Sequence, residues 1–181
     1  MNTDPILKIF VPGTPKPGGS KRAFLIRNKA GKPAMSKTGR PVIVLTDASG
    51  TAGKDWRADV RGVAQEAWAG KPLETKSLTV WMMFYMQRPK SHYGTGKNAF
   101  TLKERSPLYY EHLQTPDALK LGRSVEDALT KVIWKDDCIL RGWYEKVWGH
   151  ATDQPGMELT VWRTESVINS KKLFRHEEGE V

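Results

Sequence analysis

The stretch that organises this chain is residues 115–140, TPDALKLGRSVEDALTKVIWKDDCIL. Apolar residues recur in it at three- and four-residue spacing, which predicts a helix from Ala118 to about Val132, with Asp117 placed to cap its start. An Asp136-Asp137 turn then leads into a strand. The whole chain has a formal net charge of +9. Acids concentrated in one stretch of a basic chain indicate metal and phosphate chemistry.

The segments on either side of this stretch predict an α/β (α+β) fold, in which helices pack on a single mixed β-sheet. One domain is expected over residues 1–168, followed by a charged, frayed tail at residues 169–181. The predicted elements are a first strand at Ile6–Val11, a helix at Thr51–Ala69, a buried central strand at Leu78–Met86, and a closing hairpin of Ile139–Trp148 with Met157–Arg163.

Two long segments are rich in cations. Residues 14–46 contain no acid and are predicted to form a flexible arm or a long hairpin, and residues 87–115 form a long basic loop with interleaved aromatic side chains. This charge favours a polyanion as partner, because cations that neutralise phosphates release counterions. A soluble basic protein or an RNA-binding protein would also explain the charge, but neither explains the acids. The candidate DNA contacts are Lys16, Lys21, Arg22, Arg27, Lys29, Lys37, Arg88 and Lys90.

Several classes of protein are excluded or disfavoured by the sequence. A single cysteine, Cys138, excludes an internal disulfide and a zinc site of several cysteines, and it favours a reducing cytoplasm. No apolar run is long enough to span a membrane. The glycine-lysine stretches at Gly50 and Gly94 lack the spacing of a phosphate-binding loop, so no nucleotide cofactor is expected.

Helical geometry suggests how the acids could act together. Steps of four and three residues place Leu119, Arg123 and Glu126 on one face of the predicted helix. A sheet packed beside this helix could bring Asp137 back towards Asp117 and Glu126. Converging carboxylates would hold Mg²⁺, for which Mn²⁺ is expected to substitute. The predicted metal ligands are Asp117, Glu126 and Asp137, with Asp136 as a weaker candidate.

The predicted chemistry is hydrolysis of a phosphodiester, in which Arg123 or Lys120 would offset the charge that develops on the phosphate. The ordinary alternative is that Asp117 only caps the helix, Asp136 and Asp137 only form a turn, and Glu126 is only a solvated acid. Spacing alone leaves both possibilities open.

The same stretch resembles the RusA family of Holliday junction resolvases. The resemblance rests on Pro116-Asp117, Lys120-Leu121, Arg123, Asp127-Ala128-Leu129 and Trp134 followed by Asp136-Asp137, and the RPKSHYGTGKN segment from Arg88 is similar to phage and prophage members. It implies a homodimer that binds four-way DNA junctions and resolves them by paired Mg²⁺-dependent nicks, in the cytoplasm of a bacterial host if phage-encoded. It also implies that Asp117 and Asp137 are catalytic acids and that Arg123 is the catalytic basic residue.

One position departs from the family pattern. Leu119 stands where the second acid of the early acidic pair is usual. One hypothesis is that Glu126, two turns along the same face, supplies the missing oxygen ligand. The rival hypothesis is a protein that binds branched DNA but cuts it slowly or not at all.

Overall fold

Four strands form the main sheet of the computed structural model, which describes residues 4–19, 21–107, 116–148 and 154–167. The main sheet has the order β1-β6-β4-β5, and β2 pairs with β3 in a separate two-stranded ribbon. The predicted class, a mixed sheet with helices packed on it, is therefore confirmed. In chain order the strands are β1 (Leu7–Pro12), β2 (Lys21–Leu25), β3 (Ile43–Asp47), β4 (Leu78–Met86), β5 (Leu140–Trp148) and β6 (Gly156–Arg163).

Strand β4 lies in the middle of the sheet. It pairs in parallel with β5, where Met82 lies opposite Tyr144, and antiparallel with β6, where Met82 lies opposite Leu159. The central position predicted for Leu78–Met86 is confirmed, but the hairpin predicted for the last two strands is wrong. A nearly continuous apolar strand needs a neighbour on each edge, and β5 and β6 occupy those two edges instead of pairing with each other.

Two helices, α1 (Gly50–Ala67) and α2 (Ala118–Leu129), cover one face of the sheet. Alternate residues of the strands point towards them, because successive strand side chains face opposite sides. Helix α2 ends three residues earlier than predicted. Thr130 takes the C-cap position, and Lys131 then has a φ of 66°, which is incompatible with a further helical turn. The fully buried core side chains include Val60, Leu78, Val80, Met82, Phe84, Leu121, Val125, Leu129, Trp134 and Leu159.

Residues 21–47 form a ribbon that stands apart from the main sheet. Strands β2 and β3 pair antiparallel, from Lys21 opposite Asp47 to Leu25 opposite Ile43. Beyond these strands three backbone hydrogen bonds close a triangle among Ile26, Ala34 and Val42, with N···O distances of 2.8–3.0 Å. The basic segment predicted as an arm or a long hairpin is thus a paired ribbon whose tip is folded back on itself.

The chain between β4 and α2 makes two short helical turns, at Lys90–His92 and Gly96–Asn98. The backbone N–H of Lys103 donates to the carbonyl of His92 over 2.9 Å, and Gly94 donates to Thr101 over 3.0 Å. The remainder of this excursion, residues 108–115, and the tail at residues 169–181 lie outside the described residues. Among the helices that the structure describes, none is long and apolar enough to cross a membrane.

Candidate active site

Asp117 is the N-cap residue of α2. Its side-chain Oδ1 accepts a hydrogen bond from the backbone N–H of Leu119 over 2.9 Å, as expected for an acid that satisfies an unpaired donor of the first helical turn. Lys146 of β5 lies beside this cap, because its Nζ donates to the carbonyl of Pro116 over 2.8 Å. Burial lowers the pKa of Lys146, and the charge of Asp117 acts in the opposite direction.

Glu126 lies two turns further along α2 and is held by a residue of the sheet. The hydroxyl of Tyr144 on β5 donates a hydrogen bond to Glu126 Oε1. Burial raises the pKa of the Glu126 carboxyl, and the charges of Asp137 and Asp127 raise it further, whereas the Tyr144 hydrogen bond and Arg123 oppose the shift. Burial and the Glu126 contact also raise the pKa of Tyr144, so its hydroxyl keeps its proton and acts as a donor.

Two glycines make the space that Tyr144 occupies. A Cβ at Gly122 of α2 would lie 2.6 Å from the Tyr144 ring, and a Cβ at Gly142 of β5 would lie 2.5 Å from the Tyr144 hydroxyl oxygen. No side chain fits at either position while the ring stays where it is. The helix can therefore approach β5 closely enough for the tyrosine to reach Glu126.

The two acids before β5 have different surroundings. Asp136 caps the short helical turn Asp137–Ile139, and its Oδ1 accepts from the backbone N–H of Cys138 over 3.0 Å. This hydrogen bond holds the pKa of Asp136 below its ordinary value. Asp137 is exposed and close enough to Glu126 for its charge to raise the pKa of that carboxyl.

The structure brings only some of the predicted metal ligands together. Glu126 and Asp137 form an electrostatically coupled pair, whereas Asp117 lies at the other end of α2, about 13 Å along the helix axis from Glu126. Within the described ranges, no three His, Cys, Asp or Glu side chains form a group that could hold a metal ion. Asp137 thus lies near Glu126 as expected, whereas the structure does not bring Asp117 to them, and the metal-binding roles of these acids stay predictions.

A cavity of about 510 Å³ opens beside the N-terminus of α2. Asp117 and Lys120 line it from the helix, Lys16 from the segment that follows β1, and Ala52 from the first turn of α1. Its other walls are mainly apolar and come from Pro15, Pro17, Ala48 and Met86, with Ser49. Lys16, predicted only as a DNA contact of the arm, thus lies at the same cavity as Asp117 and Lys120.

The ribbon begins directly against α2. The backbone N–H of Gly18 donates to the carbonyl of Lys120 over 2.8 Å, and a Cβ at Gly18 would lie only 3.0 Å from the Ser124 Cα. The exposed Arg123 side chain passes Gly19, where a Cβ would lie 3.2 Å from its Cδ. The predicted catalytic cation therefore lies where the ribbon leaves the body of the protein.

The other predicted DNA contacts fall into two groups. Arg88 is half-buried, and its Nη1 donates to the carbonyl of Pro107 over 2.7 Å while its guanidinium lies 5.8 Å from the centre of the Trp148 ring. These contacts give Arg88 a role in holding the loop to the body. Exposed positions are held by Lys21, Arg22, Arg27, Lys29 and Lys37 on the ribbon and by Lys90 in the loop.

Reasoning from the sequence missed Tyr144 and Lys146. Both belong to β5, and their even spacing places them on the face of the sheet that carries α2. That alternation is present in the sequence. Its use requires knowledge that α2 packs on β5, which only the structure supplies.

The chain belongs to a class of endodeoxyribonucleases, because the family model of endodeoxyribonuclease RusA matches residues 28–161. The match runs from the ribbon through α2 to β6 and covers well over half of the chain. The chain is therefore a member of the RusA family, and the resemblance noted in the sequence is confirmed. A comparison with curated proteins gave no significant match.

Proposed function

We propose that this protein nicks four-way and other branched DNA in a Mg²⁺-dependent reaction and acts as a homodimer. The observation that carries the proposal is that acids and cations lie close together along α2, next to the start of the basic ribbon. Asp117 shares a cavity with Lys16 and Lys120, and the pair of Glu126 and Asp137 lies further along the same helix. Nearby cations would bind the phosphates of a DNA strand, and the acids would serve its hydrolysis.

The carboxylates fit a magnesium ion in their chemistry. Mg²⁺ prefers oxygen donors, and a bound cation would relieve the repulsion by which the charge of Asp137 raises the pKa of Glu126. Glu126 and Asp137 are the residues that would hold it, with Mn²⁺ as a substitute, whereas Asp117 lies too far along α2 to bind the same ion. A bound Mg²⁺ would activate a water molecule and stabilise the leaving oxygen.

The protein's own side chains would orient the reaction. Tyr144 fixes Glu126 by occupying Oε1, so the carboxylate is presented in one orientation. Arg123 and Lys120 would bind the phosphate and offset the charge that develops on it. Lys146 anchors the start of α2 through Pro116 and so keeps Asp117 beside the cavity.

The alternative is a junction-binding protein with little or no catalysis. The observation in its favour is Leu119, which is 67% exposed on the face of α2 that carries Arg123 and Glu126. An exposed leucine contributes little to the core, and here it stands where the family pattern has an acid. Glu126 compensates for that acid if the nuclease hypothesis is correct.

A cleavage assay tests the proposal. A labelled synthetic four-way junction and a linear duplex of the same sequence are incubated with wild type, Asp117→Asn or Glu126→Gln, in Mg²⁺ or EDTA. We expect symmetric nicking of the junction by wild type in Mg²⁺ and its loss in both variants. Tight junction binding without nicking would support the binding-only alternative, and full activity of Glu126→Gln would contradict the compensating role of Glu126.

The proposed homodimer has a suitable surface on the face of the sheet opposite α1 and α2. Trp143 is 52% exposed there, beside Trp81, and Phe10, Tyr85 and Trp162 extend the apolar area. Four strands about 4.8 Å apart and about eight residues long cover roughly 500 Å². Two such faces would bury about 1,000 Å², which is the size at which specific interfaces begin.

The polar groups of this face suit burial against a second copy. Trp81 Nε1 donates to Glu145 over 3.0 Å and the Tyr85 hydroxyl donates to Glu158 over 3.2 Å, so both aromatic side chains satisfy their polar atoms within the face. The charged residues on this face are two bases, Lys8 and Arg141, and two acids, Glu145 and Glu158. A face without net charge can approach its own copy without the repulsion expected elsewhere on a chain of charge +9.

A further inference from the structure

The ribbon of residues 21–47 exposes an unusual amount of apolar surface. Ile43 and Leu45 are 61% and 64% exposed. Of the twelve large hydrophobic residues that are exposed in the described part of the chain, seven lie in this ribbon. They are Phe24, Leu25, Ile26, Met35, Ile43, Val44 and Leu45.

These side chains occupy both faces of the ribbon. Phe24 lies opposite Val44 on one face, and Leu25 lies opposite Ile43 on the other. All four are exposed, so neither face is buried against the main sheet or the helices. A two-stranded ribbon is only marginally stable by itself, and apolar area of this size on a soluble protein usually marks a binding surface.

The charge of the ribbon identifies what it binds. Seven Lys and Arg residues stand in residues 21–47 against one acid, Asp47. Two copies of such a ribbon would repel each other, whereas DNA phosphates would neutralise them and release counterions. A ribbon of this width also fits the major groove of DNA. Nucleic acid is therefore the occupant that the charge favours.

The apolar residues of the ribbon favour DNA with unstacked bases over an intact duplex. In an intact duplex the faces of the bases are stacked, so apolar side chains find little beyond thymine methyl groups. At the centre of a branched junction bases can unstack and present their faces to aromatic and aliphatic side chains. We infer that the ribbon enters the open centre of branched DNA, with its cations on the phosphates and its apolar side chains against unstacked bases. This inference rests on the proposed function and assigns its structure selectivity to one element.

Hydrogen bonds within the ribbon define the conformation of its tip. At its tip Asn28 Oδ1 accepts from the backbone N–H groups of Ala30 and Lys32 over 3.0 Å, and Arg27 Nη1 donates to the Gly31 carbonyl over 2.8 Å. The triangle of Ile26, Ala34 and Val42 fixes the strands below the tip. Each of these hydrogen bonds reduces the part of the ribbon that binding would have to order.

The root of the ribbon connects this contact to the candidate active site. Its first strand follows Gly18 and Gly19, which pack on α2 beside Arg123. Its second strand leads into Ala48, which lines the cavity of Asp117. A DNA strand that leaves a junction centre occupied by the ribbon would therefore pass next to the acids of the candidate active site.

Equilibrium binding in EDTA tests the inference independently of cleavage. The full chain is titrated into a labelled four-way junction or into a linear duplex of the same sequence. Ile43→Thr combined with Leu45→Thr keeps strand-forming residues but removes apolar surface, and Phe24→Ala removes the aromatic ring. We expect each variant to bind the junction about tenfold more weakly, as for the loss of one stacked or apolar base interaction, with unchanged affinity for the duplex.

Two controls define the specificity of the effect. Lys21→Gln combined with Arg22→Gln should weaken binding to both DNAs and lower the salt slope by about 0.9 for each phosphate that the variant no longer neutralises. Leu73→Ala removes an apolar side chain that is 41% exposed between α1 and β4, outside both basic segments, and it should change neither affinity. The mass of each DNA-free variant is measured alongside.

Three outcomes would overturn the inference. They are an equal loss of affinity for junction and duplex in the apolar variants, unchanged binding to both, and a changed mass of the DNA-free protein, which would assign the apolar surface to a second copy. A wild type that nicks DNA but binds junction and duplex equally would also overturn it and leave the nuclease proposal standing. Junction preference without nicking would contradict only the nuclease proposal.

Discussion

Tyr144 on β5 donates its hydroxyl hydrogen to Glu126 on α2, and this bond joins the sheet to the helix at the candidate site. Burial raises the pKa of Glu126, so just above the ordinary pKa of a glutamate the folded protein binds a proton there more readily than the unfolded chain does. When the pKa of an acid is higher in the folded state than in the unfolded state, the free energy of unfolding falls as the pH rises from the unfolded pKa through the folded pKa. This loss of stability is absent below the ordinary pKa of glutamate and is present at neutral pH.

We therefore expect Glu126→Gln to raise the melting temperature in EDTA at neutral pH and to leave it unchanged below a pH of about 4. Tyr144→Phe should have the opposite effect at neutral pH, because it removes the hydrogen bond that opposes the shift. Thermal unfolding across a pH series measures both. Parallel pH profiles for wild type and Glu126→Gln would contradict the assignment.

The close packing of Gly122 against the Tyr144 ring predicts that Gly122→Ala lowers the stability of the fold. The added methyl group would meet the Tyr144 ring at 2.6 Å, and we expect a loss of about 1–3 kcal/mol in the free energy of unfolding. The matched control is Gly62→Ala in α1, where no atom lies within 4 Å of the added methyl group. There, alanine should stabilise the helix by about 0.5–1 kcal/mol. Denaturant unfolding of both variants gives the comparison, and equal effects would rule out a packing role for Gly122.

Restoring the family acid should increase nicking. Leu119→Asp places a carboxylate in the first turn of α2 at an exposed position, so it should fold normally and gain a small stabilisation from the helix dipole. We expect faster junction cleavage in Mg²⁺ than by wild type. Leu119→Asn is the matched variant without charge and should show no gain. A Leu119→Asp rate at or below the wild-type rate would indicate that Glu126 already completes the site or that the site cannot use a ligand there.

The proposed dimer surface predicts a change of mass. Trp143→Glu places a charge in the middle of the apolar sheet face, and we expect light scattering to give the mass of one chain instead of two. Phe100→Glu makes an equally drastic change at a more exposed position, and this variant should have the same mass as wild type. A dimeric Trp143→Glu variant would place the interface elsewhere, and circular dichroism confirms that both variants are folded.

Much of the fold could be predicted because local patterns and burial agree. The apolar run Leu78–Met86 indicated a central strand, and the periodicity of the 115–140 stretch indicated α2. The error concerned pairing: two adjacent strand patterns suggested a hairpin, but an apolar strand from earlier in the chain lies between them. Strand order depends on contacts between distant segments, which local patterns do not contain.

The candidate site was predictable to a lesser degree. Asp117 as helix cap and the proximity of Asp137 to Glu126 followed from spacing and a plausible packing of helix on sheet. The positions of Tyr144 and Lys146 could not be derived, because they depend on which face of β5 meets α2. The cavity that joins Lys16 to Asp117 depends on where the segment after β1 crosses the helix.

The acids of the candidate site and Tyr144 all lie in one run of chain, which begins after β4, passes through α2 and ends in the parallel strand β5. The ribbon is inserted elsewhere, between β1 and α1, and contributes none of these side chains. If both proposals hold, chemistry and substrate choice are encoded in separate, non-overlapping parts of the chain. A protein in which residues 21–47 were exchanged for a different ribbon would keep its acids in place, so under these proposals the preferred DNA shape could diverge while the catalytic residues are retained.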